Sequence, residues 1–259
     1  MINWSHPFRR KQMFDDFPKK EIELPLEYKK IYDQHYKDNR SGNTRASSLA
    51  QKMESWLHRQ VAKDINRGGT GIKTLEIGAG TLNQLPYEKE SEVYDIIEPF
   101  KSLFSDSSYL NRVDEIYNDI SEIGTDRKYD RITSVAVLEH ILNLPELVAR
   151  SVFLLEENAR FRAAIPNEGT FLWKLGWQMT TGAEFKRKYG LDYEVLMRHE
   201  HVSTAKEIEE VLRHFFKKVR RKVFGINRVF AFYCFLDCSE PDLNAAELYL
   251  KKLKGNKIK

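Results

Sequence analysis

The sequence predicts an α/β protein with a mostly parallel sheet and helices on both faces. Apolar runs typical of buried strands alternate with helical runs such as residues 144–155. The first apolar run leads directly into the small-residue turn Gly78-Ala79-Gly80, and the next two runs end on carboxylates. At 259 residues and 41% hydrophobic, the chain is long enough to bury such a sheet within one domain.

The first strand and its turn have the composition of a nucleoside-binding site. The apolar residues of 74–77 suit a strand buried on both faces, and glycines at 78 and 80 let the backbone turn tightly beside a ligand. Glu98 ends the next apolar run, where a carboxylate can accept hydrogen bonds from both hydroxyls of a ribose. An ordinary strand–turn–helix, with glycines needed only for packing, is the alternative for this segment taken alone.

Residues around the turn narrow the choice of ligand. A dinucleotide-binding G-x-G-x-x-G turn needs Gly or Ala where Asn83 stands, and no phosphate-binding G-K-[ST] motif follows. Glu76 precedes the glycines, where it would repel a pyrophosphate but would attract a ligand with an ammonium and a sulfonium. These properties point to S-adenosyl-L-methionine as the cofactor, with S-adenosyl-L-homocysteine as its product.

Three further apolar runs follow in order, over residues 93–98, 113–120 and 129–140. With the motifs L-E-I-G-x-G, N-D-I and V-L-E-H-I, residues 70–168 resemble the class I methyltransferases that use S-adenosylmethionine. The resemblance is closest to the ubiquinone- and menaquinone-biosynthesis type. It implies a Rossmann-like sheet of seven strands whose last strand is antiparallel.

The same resemblance implies a role for each matching residue. Glu76, Gly78 and Gly80 would contact the methionine end of the cofactor, and Glu98 the ribose hydroxyls. The remaining cofactor positions are Asp119 with the backbone of Ile120 at the adenine edge, and Val135 and Ala136 beside the methionine portion.

The sequence departs from the family at two positions. Leu82 replaces the third glycine of the turn, so the first helix has to approach differently. Ala136 stands where some relatives have an acidic residue that helps to hold a metal beside Glu139 and His140. Because that ligand set is incomplete, we predict that no metal binds.

One methyltransferase domain is predicted to span residues 1–259, with elaborations around its core. Its parts are an N-terminal extension and helix over 1–70, a cofactor-binding core over 71–168, a substrate cap over 169–202, the remaining core over 203–240 and a basic tail over 241–259. The cap, an aromatic and irregular stretch, follows the fifth predicted strand, Ala159–Ile165. We expect it to cover the acceptor together with the aromatic N-terminal segment, although its aromatics could simply bury one another.

Three histidines are candidate general bases, because an imidazole exchanges protons near neutral pH. His140 follows the fourth strand and could instead fix the loop. His199 and His201 lie at the end of the cap and could instead stack on its aromatics. If no histidine acts, a carboxylate such as Glu139, Glu168 or Glu200 remains.

Composition and motifs guide the expected function. The net charge is +4, and no apolar run is long enough to span a membrane, so we expect a protein that is cytoplasmic or at most attached to the inner membrane face. The acceptor is expected to be a small molecule, anionic or lipid-linked, with a hydroxyl on a sugar, glycan precursor or quinone-like metabolite. Residues 198–202 support this through a general likeness to methyltransferases encoded with glycan-assembly enzymes. No nucleic acid is expected, but methylation of RNA or a polypeptide, or cofactor binding without catalysis, is the alternative.

Overall fold

A computed structural model describes residues 14–32, 48–65, 71–89 and 91–256. The strands are β1 Lys73–Ile77, β2 Val93–Ile97, β3 Ile116–Tyr117, β4 Tyr129–Val135, β5 Leu155–Pro166, β6 Phe216–Gly225 and β7 Ala231–Pro241. The helices are α1 (described over 26–32), α2 Ser48–Val61, α3 Leu144–Leu154, α4 Phe171–Trp177, α5 Ala183–Tyr189, α6 Tyr193–Glu200, α7 Ala205–Phe215 and α8 Leu243–Asn256. A π-helical turn, Gln178–Gly182, joins α4 to α5.

The seven strands form one sheet in the order β3-β2-β1-β4-β5-β7-β6. Strands β1 to β5 pair in parallel, whereas β7 runs antiparallel to both of its neighbours, β5 and β6. The predicted fold class, including the antiparallel last strand, is therefore confirmed. The strand order reverses between β1 and β4, and ligands of open α/β sheets bind at such a point.

Helices cover both faces of the sheet, as predicted. On one face Leu57 and Val61 of α2 pack against Ala164 and Phe235. On the other face α3, α7 and α8 bury the larger core cluster. Helix α7 begins with a capping box, in which Thr204 and Glu207 each bond to the backbone of the other. Among the described residues no helix has the length and apolarity that a membrane crossing requires.

The first crossover differs from the predicted pattern. We expected a helix after the glycine turn, but the described residues between β1 and β2 form only turns and the short 3₁₀ helix Leu85–Tyr87. Leu82 adopts a left-handed backbone conformation (φ 66°) and buries its side chain in a small cluster with Leu85 and Phe104. Left-handed residues cannot continue a right-handed helix, so the expectation of a helix here is wrong.

The cap and the N-terminal segment pack together. Helices α4 to α6 form the cap, and Trp177, Phe185 and Tyr193 bury one another with Leu24 and Tyr28 of the N-terminal segment. Most cap aromatics are therefore structural. Three aromatic residues of the N-terminal extension, Trp4, Phe8 and Tyr36, lie outside the described residues.

The residues predicted to form a basic tail fold as the helix α8. Ala246 is completely buried, and Tyr249 and Leu250 pack against the main core cluster. The lysines follow a helical spacing because one side of this helix contacts α3 and α7 while the other faces solvent. Describing this segment as a tail is therefore wrong up to Asn256.

A buried charged network connects the end of α2 to the sheet. Arg131 on β4 donates to Glu88 Oε2 at 2.8 Å and to the carbonyl oxygen of Val61 at 3.0 Å, and its Nη2 lies 3.2 Å from Asp64 Oδ1. Arg162 on β5 shares Asp64, with its Nε 3.1 Å from the same oxygen. These contacts attach the C-terminal end of α2 to β4 and β5.

Candidate active site

Two cavities lie at the carboxyl ends of β1, β2 and β4, where the strand order reverses. The larger has a volume of about 900 Å³ and the smaller about 460 Å³. Gly78, Val137, His140 and Glu200 line both, so the two cavities adjoin at the glycine turn. The two cavities therefore form adjoining parts of one recess, with the turn and the end of β4 between them.

The glycine turn needs its glycines for two different reasons. Gly78 adopts φ 70°, and a Cβ at this position would lie 2.4 Å from Val137 Cγ2. Gly80 adopts φ 53°, and a Cβ there would meet no described heavy atom within 4 Å, so its surroundings are open. The turn therefore leaves space for a ligand beside the backbone.

Glu98 lines the larger cavity and also holds the turn. Its Oε2 accepts a hydrogen bond from the Gly80 amide at 2.9 Å, and its Oε1 accepts one from the Phe100 amide at 3.0 Å. The side chain is almost fully buried. An ionised carboxylate offers about four acceptor positions, so further hydrogen bonds to a diol remain geometrically available.

Glu76 lines the smaller cavity and is buried at the end of β1. Burial raises the pKa of Glu76 to about 8, although a 2.7 Å hydrogen bond donated by the Tyr94 hydroxyl partly offsets that rise. A carboxyl with this pKa holds its proton near neutral pH until a cation arrives to stabilise its charged form.

The other predicted cofactor positions divide between the two cavities. Asp119 and Ile120 line the larger one, and Asp119 caps a short 3₁₀ helix by accepting from the Ser121 amide at 2.9 Å. Val135 and Ala136 line the smaller one. All eight positions predicted from the sequence therefore line these adjoining cavities.

His140 connects the end of β4 to the cap. Its Nδ1 lies 2.9 Å from the carbonyl oxygen of Glu200, so Nδ1 carries the proton and donates. The backbone amides of Val202 and Ser203 donate to the carbonyl oxygen of Glu139 at 2.9 and 3.1 Å. The end of the cap is thus attached to the turn that carries His140.

His201, which lines the smaller cavity, forms a dyad with Glu168. Its Nδ1 lies 3.0 Å from Glu168 Oε2, and its ring stacks on Trp173 with ring centroids 6.4 Å apart. Burial alone would lower the pKa of His201, but the hydrogen bond to Glu168 and the charge of Glu139 outweigh burial and raise it. The structure brings His201 within 4.8 Å of His140, measured between ring centroids.

His199 lies apart from this pair. It lines the larger cavity, where its Nδ1 is 2.7 Å from the carbonyl oxygen of Ile22 and its ring packs edge-on against Tyr32. These contacts attach the N-terminal segment to the cap.

Glu139, His140 and His201 form a cluster in which one potential ligand atom of each lies within 4.8 Å of the others. The sequence indicated only the first two, because His201 comes from the far end of the cap. That no metal binds remains a prediction. Glu139, His140 and His201 are the residues that would hold a metal ion if one did bind.

Residues that sequence reasoning missed complete the smaller cavity. Trp173 of the cap packs edge-on against Tyr233 of β7, with centroids 5.2 Å apart, and both line the cavity. His58, from α2, also lines it, and its Nδ1 donates a 2.8 Å hydrogen bond to Gln84 Oε1. No local motif marks these residues, since each comes from a different element.

Comparisons with known proteins identify the fold. The plantazolicin methyltransferase BpumL, solved with a desmethyl analogue and S-adenosylhomocysteine (SAH), matches with a TM-score of 0.57 and 14% identity over 83% of this chain and 94% of its own. The chain has the fold of an S-adenosylmethionine-dependent methyltransferase. The N-methyltransferase NodS from Bradyrhizobium japonicum WM9, solved with SAH, matches with a TM-score of 0.54 and 14% identity over 84% of this chain and 100% of its own.

The CurJ carbon methyltransferase matches with a TM-score of 0.55 and 17% identity, over 83% of this chain and 61% of its own. The sequence matches no protein-family model and no curated protein. The solved structures named here thus include both a nitrogen and a carbon methyltransferase, and at these identities they establish the fold and leave the acceptor open.

Proposed function

We propose that the chain transfers a methyl group from S-adenosylmethionine to a hydroxyl of a small-molecule acceptor. The observation that carries this proposal is the pair of adjoining cavities at the glycine turn. The larger cavity presents Glu98 and Asp119 to a nucleoside, and the smaller is lined by Glu76 and by His201, which pairs with the partly buried Glu168. When bound, the cofactor supplies an activated methyl group on a sulfonium.

The chain contributes orientation and proton removal. Glu76 pairs with the ammonium of the cofactor, and Glu98 accepts from the ribose hydroxyls. With its Nδ1 proton directed to Glu168, His201 offers Nε2 as the base that takes the acceptor's hydroxyl proton. Glu168 orients the ring and stabilises the imidazolium that forms, while His140 positions the end of the cap.

The acceptor is proposed to be a sugar, glycan precursor or quinone-like metabolite. Trp173 and Tyr233 offer aromatic faces against which a ring can stack, within a cavity of about 460 Å³. The cap, α4 to α6, supplies Trp173 and His201 and is proposed to cover this acceptor.

Transfer from labelled S-adenosylmethionine onto extracted nucleotide sugars, glycolipids and quinones tests the proposal. A labelled product whose methyl is bonded to oxygen supports it. A label found on nitrogen or carbon would contradict the proposal that the acceptor atom is oxygen. Binding of NAD instead of SAH would contradict the assignment of the cofactor.

Replacing Glu98 should weaken cofactor binding. In Glu98→Ala the buried donors of the ribose and of the Gly80 amide lose their acceptor, so we expect SAH binding to lose about 1–3 kcal/mol. Calorimetry measures the loss, and the exposed Glu156→Ala is the matched control. An unchanged SAH affinity in a folded Glu98→Ala variant would remove Glu98 from the site.

The affinity for SAH should increase with pH up to about pH 8. The pKa of Glu76 is about 8 in the empty protein, and the carboxyl must lose its proton before it pairs with an ammonium. Below that pH, binding therefore releases a proton. Calorimetry in two buffers of different ionisation enthalpy measures this proton release. The Glu76→Gln variant should release no proton on binding SAH. If it releases as much as the unmodified protein, Glu76 is not the group that loses the proton.

A further inference from the structure

Two groups of exposed apolar side chains lie outside both cavities. Phe171, Leu175 and Met179 recur every four residues along α4 and the following turn, and Met179 and Phe171 are 72% and 70% exposed. The connection between β6 and β7 exposes Ile226, which is 89% accessible, together with Val229 and Phe230. We call these six residues the apolar rim. Large side chains grouped in this way typically mark an interaction surface.

The two halves of the apolar rim are adjacent. Asn167, four residues before Phe171, donates from Nδ2 to the carbonyl oxygens of Arg228 at 3.0 Å and Ala231 at 2.9 Å. Gly176 of α4 packs so closely on Phe232 of β7 that a Cβ there would lie 2.8 Å from the ring. The start of α4 and the tip of the hairpin therefore belong to one end of the molecule.

The charge around the apolar rim is strongly positive. Residues 216–230 contain six Lys and Arg and no acidic residue, and residues 169–190 contain four Lys and Arg and one acidic residue, Glu184. Arg221 and Arg228 pair with Glu209, and Lys218 pairs with Glu240. On β6, the exposed side chains of Arg220 and Lys222, within five residues of Gly225 at the hairpin tip, therefore carry the excess charge.

We propose that the apolar rim and these basic side chains dock onto the surface of an anionic lipid bilayer. Apolar side chains at a hairpin tip enter the headgroup region, and cationic side chains behind them attract anionic lipids, which is the combination that interfacial binding requires. Trp173 lies between Phe171 and Leu175 on α4 and lines the smaller cavity. Docking would place that cavity beside the membrane, where an amphiphilic acceptor could reach it; this last step rests on the proposed function.

Sedimentation with vesicles tests the docking without any acceptor. The full chain should bind vesicles of phosphatidylcholine with phosphatidylglycerol. The variant Ile226→Asp with Phe230→Asp should bind about tenfold or more weakly, because it lacks two apolar side chains that would be buried in the bilayer. Arg220→Glu with Lys222→Glu should lose binding to the anionic vesicles and leave the weak binding to pure phosphatidylcholine unchanged. Leu248→Asp, an exposed apolar position on α8, is the matched control and should bind like the unmodified chain.

Circular dichroism and SAH affinity verify that each variant is folded. Equal vesicle binding by Ile226→Asp with Phe230→Asp and by the unmodified chain overturns the proposal, as does no binding by the unmodified chain.

Sedimentation velocity without lipid tests whether another molecule occupies the apolar rim instead of a bilayer. A dimer that only the apolar-rim variant dissociates would make this surface a contact between copies of the chain, and tight binding to RNA with no vesicle binding would make it a nucleic-acid surface. If the unmodified chain binds vesicles but transfers no methyl group to any acceptor, only the proposed function is contradicted.

Discussion

His201→Ala should lower turnover on the true acceptor by about 10²–10⁴-fold, the usual contribution of a general base. The affinity for SAH should stay near that of the unmodified protein, because His201 contacts Glu168 and Trp173 on the side of the smaller cavity proposed to face the acceptor. Single-turnover methyl transfer and SAH calorimetry measure the two quantities separately. Full turnover by His201→Ala would assign proton removal to another group, such as Glu139 or Glu200.

Three comparisons isolate the role of the dyad. His199→Ala is the matched control and should keep its turnover, since this side chain contacts Ile22 and Tyr32 away from the pair. Glu168→Gln should move the acidic limb of the pH profile of kcat/KM to lower pH, because the Glu168 carboxylate raises the pKa of His201. A base must be unprotonated, so activity increases as pH rises through that pKa.

The third comparison addresses a metal. Dialysis against a chelator should leave turnover unchanged if His201 acts as a base. Loss of turnover that a divalent ion restores would instead make Glu139, His140 and His201 its ligands.

Arg131→Met should destabilise the fold by about 3–5 kcal/mol. The substitution retains most of the side-chain volume, but it leaves Glu88 completely buried and without the 2.8 Å ion pair that compensates for its burial. Urea unfolding, followed by circular dichroism, measures the change in the free energy of unfolding. The charge of Arg131 also favours the ionised form of Glu76, so a weaker SAH affinity should accompany the lost stability.

Arg160→Met is the matched control on the neighbouring strand. Arg160 is half-exposed, and its partner Asp237 keeps a second ion pair with Arg162 at 3.0 Å. We expect this change to cost about 0–1 kcal/mol, as exposed ion pairs usually do. Equal losses for the two variants would show that burial of Glu88 is not the cause.

The cofactor half of the site could be predicted from the sequence because its residues belong to local motifs. Glu76, Gly78 and Gly80 occupy one strand and its turn, and in a parallel sheet the end of β2 must place Glu98 at the same edge. The contact between Glu98 and the Gly80 amide follows from this geometry. The incorrect expectation of a helix after the turn had a local cause. Leu82 adopts a left-handed backbone conformation, which the residue type does not indicate.

The acceptor half could not be predicted in the same way. The sequence named His140, His199 and His201 without ranking them, because their grouping depends on how the cap returns to β4. The amides of Val202 and Ser203 attach that return to Glu139, which brings His201 to His140 and leaves His199 beside the N-terminal segment. Trp173 and Tyr233 likewise meet only through packing of α4 on β7.

By itself, the sequence determined the first buried strands, the glycine turn and the carboxylates at the strand ends, since each depends on residues close together in the chain, and the family resemblance carried by these motifs implied the seven-stranded sheet. Only the tertiary structure decided which histidine joins Glu168, which cap aromatics are structural, and that Phe171 and Ile226 belong to one exposed surface. These properties depend on contacts between segments more than 30 residues apart in the chain. Such contacts are set by the packing of whole elements, for which no local pattern in the chain is a guide.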